Sequence, residues 1–85
     1  AAHATNVICK TEDFRFTRGV DLVKSYHVPG AQYFTSCFCG ECGSPTARVT
    51  PERGFAVVPA GSLDTDPRVR PMTHIFVDSK ANWFL

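Results

Sequence analysis

Eighty-five residues with 44% hydrophobic content, 20% charged content and a formal net charge of +1 describe a single small domain spanning 1–85, since domains usually run to roughly 100–150 residues. A chain this short buries only about 60–65% of the surface its unfolded form exposes, so its core is marginal, and such cores often need a metal, disulfides or a partner subunit. Nine Lys and Arg against eight Asp and Glu create no strong field for phosphates, which argues against nucleic acid, and apolar runs stay short of the roughly 18 residues of a membrane helix. With no basic-then-apolar leader in view, the expectation is a cytoplasmic protein with no membrane partner.

In chain order, Val7-Ile8-Cys9 is an apolar run that makes Cys9 a free buried thiol. Asp13 to Arg18 alternates polar and aromatic residues, which predicts a strand with Phe14 and Phe16 on one face. Gly19 supplies a turn, and Val20 to Tyr26 reads as a strand, with a single helical turn as the alternative. After Pro29-Gly30, the run Ala31 to Ser36 is rich in β-favouring residues.

Thr46 to Thr50 alternates around Val49, Pro51 to Gly54 is a turn, and Phe55 to Val58 reads as a buried strand that Gly61 ends. Leu63 to Met72, with its prolines, aspartates and arginines, reads as a surface loop, in which Asp64 caps a turn. Thr73 to Val77 is the clearest strand pattern of the chain, and the aromatic end Trp83-Phe84-Leu85 is expected to pack back on the body. Short strands separated by turns at about eight-to-twelve-residue spacing predict an all-β fold.

Cys37-Phe38-Cys39-Gly40-Glu41-Cys42-Gly43 carries a C-x-C that overlaps a C-x-x-C. The C-x-x-C puts two thiolates on a tight turn whose amides point at the sulfurs, and the glycines permit the backbone such a knuckle needs. Zinc fits soft ligands in this spacing, and Cys39 with Cys42 supplies half of a tetrahedral set. Cys37 is a candidate third ligand, the alternative being a small buried residue beside Phe38. A disulfide scaffold suits an even cysteine count, and a thioredoxin-type redox motif needs a helix that the surrounding pattern does not provide. Among the histidines, His74 is a structural residue or a site-lining one, and His3 and His27 are surface residues.

At Phe38 to Pro45 the chain resembles the glutathione-dependent formaldehyde-activating enzymes, a family that includes the centromere protein V-like proteins. Phe14 to Gly19, Ala60-Gly61-Ser62-Leu63-Asp64 and the segment from His74 to Trp83 agree with further family segments, in order. The resemblance implies an Mss4-like, or β-tent, all-β fold, a carbon–sulfur lyase activity and zinc as cofactor. It also implies that Cys39 and Cys42 are structural-zinc ligands, that a thiol such as glutathione is a partner, and that the chain corresponds to the later part of a longer family domain. The family's catalytic zinc ligands carry over onto no residue here. His74 and Trp83 are the candidates for substrate contact.

Three functions follow as expectations. The first is a portion of a zinc-dependent carbon–sulfur lyase, inactive as this chain alone. The second is a non-catalytic β module that homodimerises, with or without a zinc shared between copies. The third is a thiol-redox protein using Cys39 and Cys42, for which no Lys, Arg or His in Phe38–Pro45 supplies a cause of thiolate stabilisation.

Overall fold

The computed structural model describes residues 4–32 and 34–84; the expectations for His3, Leu85 and Tyr33 of the run from Ala31 lie outside them. Among the described residues the regular elements are five strands and single 3-10 turns: β1 (Asn6–Lys10), β2 (Val23–His27), β3 (Thr35–Cys39), β4 (Arg48–Thr50) and β5 (Phe55–Pro59). The all-β reading therefore holds. Two antiparallel sheets form, one in the order β1-β5-β4 and one a β2-β3 hairpin.

In the first sheet β5 is central. Its run Phe-Ala-Val-Val is β-favouring and bonded on both sides, with Cys9 opposite Ala56 on one edge and Val49 opposite Ala56 on the other. Ala56 is consequently the one fully buried residue among those described, at 0% exposure. The β1–β5 ladder continues at both ends, where the Thr11 amide donates to the Gly54 carbonyl (3.1 Å) and the Ala60 amide to the Thr5 carbonyl (2.9 Å). The predicted turn at Pro51–Gly54 joins β4 to β5 as a 3-10 turn that ends on Gly54.

In the second sheet, Val23, Ser25 and His27 stand opposite Cys39, Cys37 and Thr35. Period-two alternation puts all six on one face of the hairpin. Val20–Tyr26 resolves into both of its alternatives, a 3-10 turn at Val20–Leu22 followed directly by β2. β3 begins at Thr35, later than the run from Ala31 suggested, and carries Cys37 and Cys39 into the strand itself.

Two predicted strands do not form. Asp13 to Arg18 forms none, since Asp13 ends a 3-10 turn, Phe14 is extended without a ladder and Arg18 lies in a bend, although the alternation survives: Phe14 and Phe16 are half-buried and their rings meet edge to face at 5.0 Å. Thr73 to Val77 forms no strand. Phe76 is left-handed (φ 58°) and opens a 3-10 turn at Val77–Ser79, while Ile75 and Phe76 are 73% and 79% exposed. A β-run of five residues cannot hold strand geometry without a ladder partner, and none of the strands β1 to β5 pairs with it. Trp83 likewise is 66% exposed rather than packed on the body, and Cys9 is half-buried rather than buried.

The loop reading of Leu63 to Met72 holds, with Asp66 rather than Asp64 capping its turn: Asp66 Oδ1 accepts from the Arg68 amide (2.7 Å). The chain exposes 7411 Å², whereas a compact monomer of its mass exposes about 5,000 Å². The radius of gyration is 14.0 Å, against about 12 Å for a compact domain of this length. Apart from Ala56, only Ala47 belongs to the buried apolar core of the described residues.

Candidate metal centre

The knuckle leaves β3 at Cys39 and returns through Pro45, which forms a bridge with Phe38. Three backbone bonds close it: the Gly43 amide donates to the Cys39 carbonyl (2.8 Å), the Cys39 amide to the Ser44 carbonyl (2.9 Å), and the Thr46 amide to the Cys37 carbonyl (3.0 Å). Gly43 is left-handed, with φ 79°, a conformation that costs a residue with a Cβ about 1–2 kcal/mol. Gly40 has a different reason. Its amide donates to the Leu22 carbonyl at 2.8 Å, and a Cβ there would stand 3.2 Å from that oxygen and 3.0 Å from the Lys24 side chain. The knuckle is thereby anchored to the turn that precedes β2.

This frame carries Cys39 and Cys42 on one tight turn. Cys42 Sγ lies 3.4 Å from Ser44 Oγ. The Ser44 hydroxyl, and after it the Ser44 backbone, hold the Cys42 thiol below its ordinary value, with Cys39 adding to the effect. Hydrogen bonds to a sulfur stabilise its thiolate, and the thiolate is the form that binds metal. Ser44 is the residue that a search for nearby cations overlooks; its signal is a hydroxyl two positions beyond the second cysteine.

Cys39 lines an open, largely apolar cleft of about 350 Å³ with Phe16, Leu22, Val23 and Thr46. Cys37, two residues earlier on the same face, lines a separate and more polar cleft of about 370 Å³. Among the described residues no three His, Cys, Asp or Glu side chains come together as a metal-holding group. The donor set present thus fits zinc as a pair of soft ligands with a stabilised thiolate, and a tetrahedral site needs two further donors. All four cysteines are free thiols. His74 is exposed, and neither it nor Trp83 lines either of these two clefts.

No described helix is long and apolar enough to cross a membrane. No curated protein and no solved structure matches the chain. Residues 1–79 match the family model described as glutathione-dependent formaldehyde-activating enzyme, and two small antiparallel sheets, with no α-helix among the described residues, are in keeping with that family's Mss4-like fold. With that match covering nearly the whole length of the polypeptide, the chain belongs to the glutathione-dependent formaldehyde-activating enzyme family.

Proposed function

We propose that this chain serves a cytoplasmic, zinc-dependent carbon–sulfur lyase of the family's type, and that its contribution is the structural metal knuckle rather than the catalytic centre. The observation that supports this is the placement of Cys39 and Cys42 on one closed turn whose Ser44 lowers the Cys42 thiol below its ordinary value. Zinc bound by four thiolates has no open position for substrate, so it acts as a cross-link that contributes directly to folding. Cys39 and Cys42 hold it from this side, and the other two donors come from outside the described residues. The knuckle's anchorage on Leu22 would then fix β3 to the segment preceding β2. Handling of a thiol substrate such as glutathione falls to groups other than these two cysteines.

The test is metal content and cobalt absorption of the purified chain, alone and within any longer polypeptide that contains it. Thiolate-to-cobalt charge-transfer bands that vanish in both Cys39→Ser and Cys42→Ser, and persist in Cys37→Ala, are expected. Cobalt or zinc binding that survives both serine substitutions would refute the assignment.

A second reading, a homodimeric β module, is favoured by one observation. The exposed area exceeds that of a compact monomer by about 2,400 Å², more than the roughly 600–1,000 Å² each partner buries in a standard interface. Ile8 on edge strand β1, together with Ile75 and Phe76, contributes to that surface. A second copy would cover it, with zinc bridging the two knuckles or with no metal. Native mass and metal stoichiometry decide: a dimer with about one zinc per two chains supports the bridged form, and a stable folded monomer eliminates the dimer.

A further inference from the structure

The polar cleft that Cys37 lines is assembled from both sheets. Ser25 and His27 from β2 and Thr35 and Cys37 from β3 form one wall, a set the hairpin register places face to face. Arg48 and Thr50 from β4, with Arg53 from the turn after it, form the other wall. Arg48 Nη1 reaches across to the Thr35 carbonyl at 3.5 Å, which ties the two sheets together over the cleft. Arg53 stacks its guanidinium 5.2 Å from the centre of the Phe55 ring, which restricts the position of its charge. The His27 ring is held from both sides: Nε2 donates to the Ala31 carbonyl (2.9 Å), so in the neutral ring Nδ1 accepts from the Thr35 hydroxyl (3.1 Å).

Two guanidiniums stand here against a single carboxylate, that of Glu52. A guanidinium carries five N–H donors in a fixed fork, so contacts already made at one edge are compatible with an anion at the other. At about 370 Å³ the cleft is at the lower end of the roughly 300–1,000 Å³ of small-molecule sites.

We propose that this cleft binds a small oxyanion, a carboxylate or phosphate group, held by the guanidiniums of Arg48 and Arg53 with the Ser25 and Thr50 hydroxyls as neutral donors. Glu52 opposes the anion from the rim and limits the charge the site accepts. The cleft shares no residue with the Cys39–Cys42 pair, so failure of the zinc assignment leaves this site standing, and the reverse.

The experiment is an amide NMR titration of the full chain with inorganic phosphate and, separately, with malonate, at constant ionic strength maintained with chloride. Saturable shifts confined to β2, β3, β4 and the turn after β4 are expected with at least one of the two ions, and which ion saturates identifies the class of group. Arg53→Gln, on the exposed rim, is expected to weaken binding about tenfold, as loss of a charge-assisted bond would; Arg48→Gln should do the same, and Glu52→Gln should tighten binding about twofold. Should Arg48→Gln fail to fold, the wild-type shift map, Arg53→Gln and Glu52→Gln still decide. The proposal is overturned if neither ion gives saturable shifts, if the shifts lie outside the cleft, or if Arg53→Gln binds as tightly as the wild type.

Discussion

Replacing Gly43 by alanine tests the knuckle without touching a sulfur. A Cβ at Gly43 meets no atom within 4 Å, so steric collision contributes nothing and the whole effect is the cost of φ 79°. That cost is about 1–2 kcal/mol for a residue with a Cβ, which corresponds to roughly a 5–30-fold change in an equilibrium constant. Because the Gly43 amide closes the turn onto Cys39, the cost falls on the closed form of the turn that carries both thiols. Gly43→Ala should therefore bind cobalt about 5–30-fold more weakly than the wild type. Exchange of the Gly43 amide should accelerate by a similar factor where local opening governs it. Gly43→Asn should recover part of the loss, since asparagine tolerates the left-handed region better than alanine. Equal metal affinity in wild type and Gly43→Ala would refute the reasoning, and so would an asparagine variant weaker than the alanine one.

The same knuckle predicts a pH effect. Since Ser44 lowers the Cys42 value in the folded chain, the folded state favours the thiolate; the associated stability is present above the ordinary thiol value and is lost as pH falls through the lowered one. Ser44→Ala should thus move half-maximal alkylation of Cys42 to higher pH, and an unchanged profile would count against the serine. In the first sheet, Ala56→Leu should destabilise by about 1–3 kcal/mol through overpacking, read as a lower urea midpoint, because Ala56 is 0% exposed between two neighbouring strands. Asp66→Asn should leave that midpoint unchanged. Arg70, and then the Arg68 amide, lower the Asp66 value, so the ion pair orders its loop above the ordinary carboxylate range and releases it in acid, yet it is exposed on both sides and belongs to the loop alone.

Much of the fold is legible in local pattern. The turn at Pro51–Gly54, the β-branched run of β5 and the irregular loop after Leu63 all follow from residue preferences that act within a few positions. The knuckle is legible for the same reason, since a C-x-x-C with glycines needs only its own backbone to close. The alternation of Phe14 and Phe16 reports their shared face correctly, but the strand predicted from it does not form, because alternation reports which side is covered and not whether a ladder exists. Ser44 was present in the motif, and its effect on Cys42 required the turn to be folded.

Thr73 to Val77 marks the boundary most clearly. Its sequence satisfies every local criterion of a strand, and still Phe76 turns left-handed and its neighbours stand exposed. The sequence by itself determined an all-β chain, its turns and a paired-cysteine knuckle, each a matter of backbone preference and short spacing. Tertiary structure alone decided which runs pair, that Cys37 and Cys39 open onto different clefts, and that Arg48 and Arg53 stand across from Ser25 and Thr35. Hydrogen-bond ladders and clefts join residues far apart in the chain, and no local preference specifies the partner.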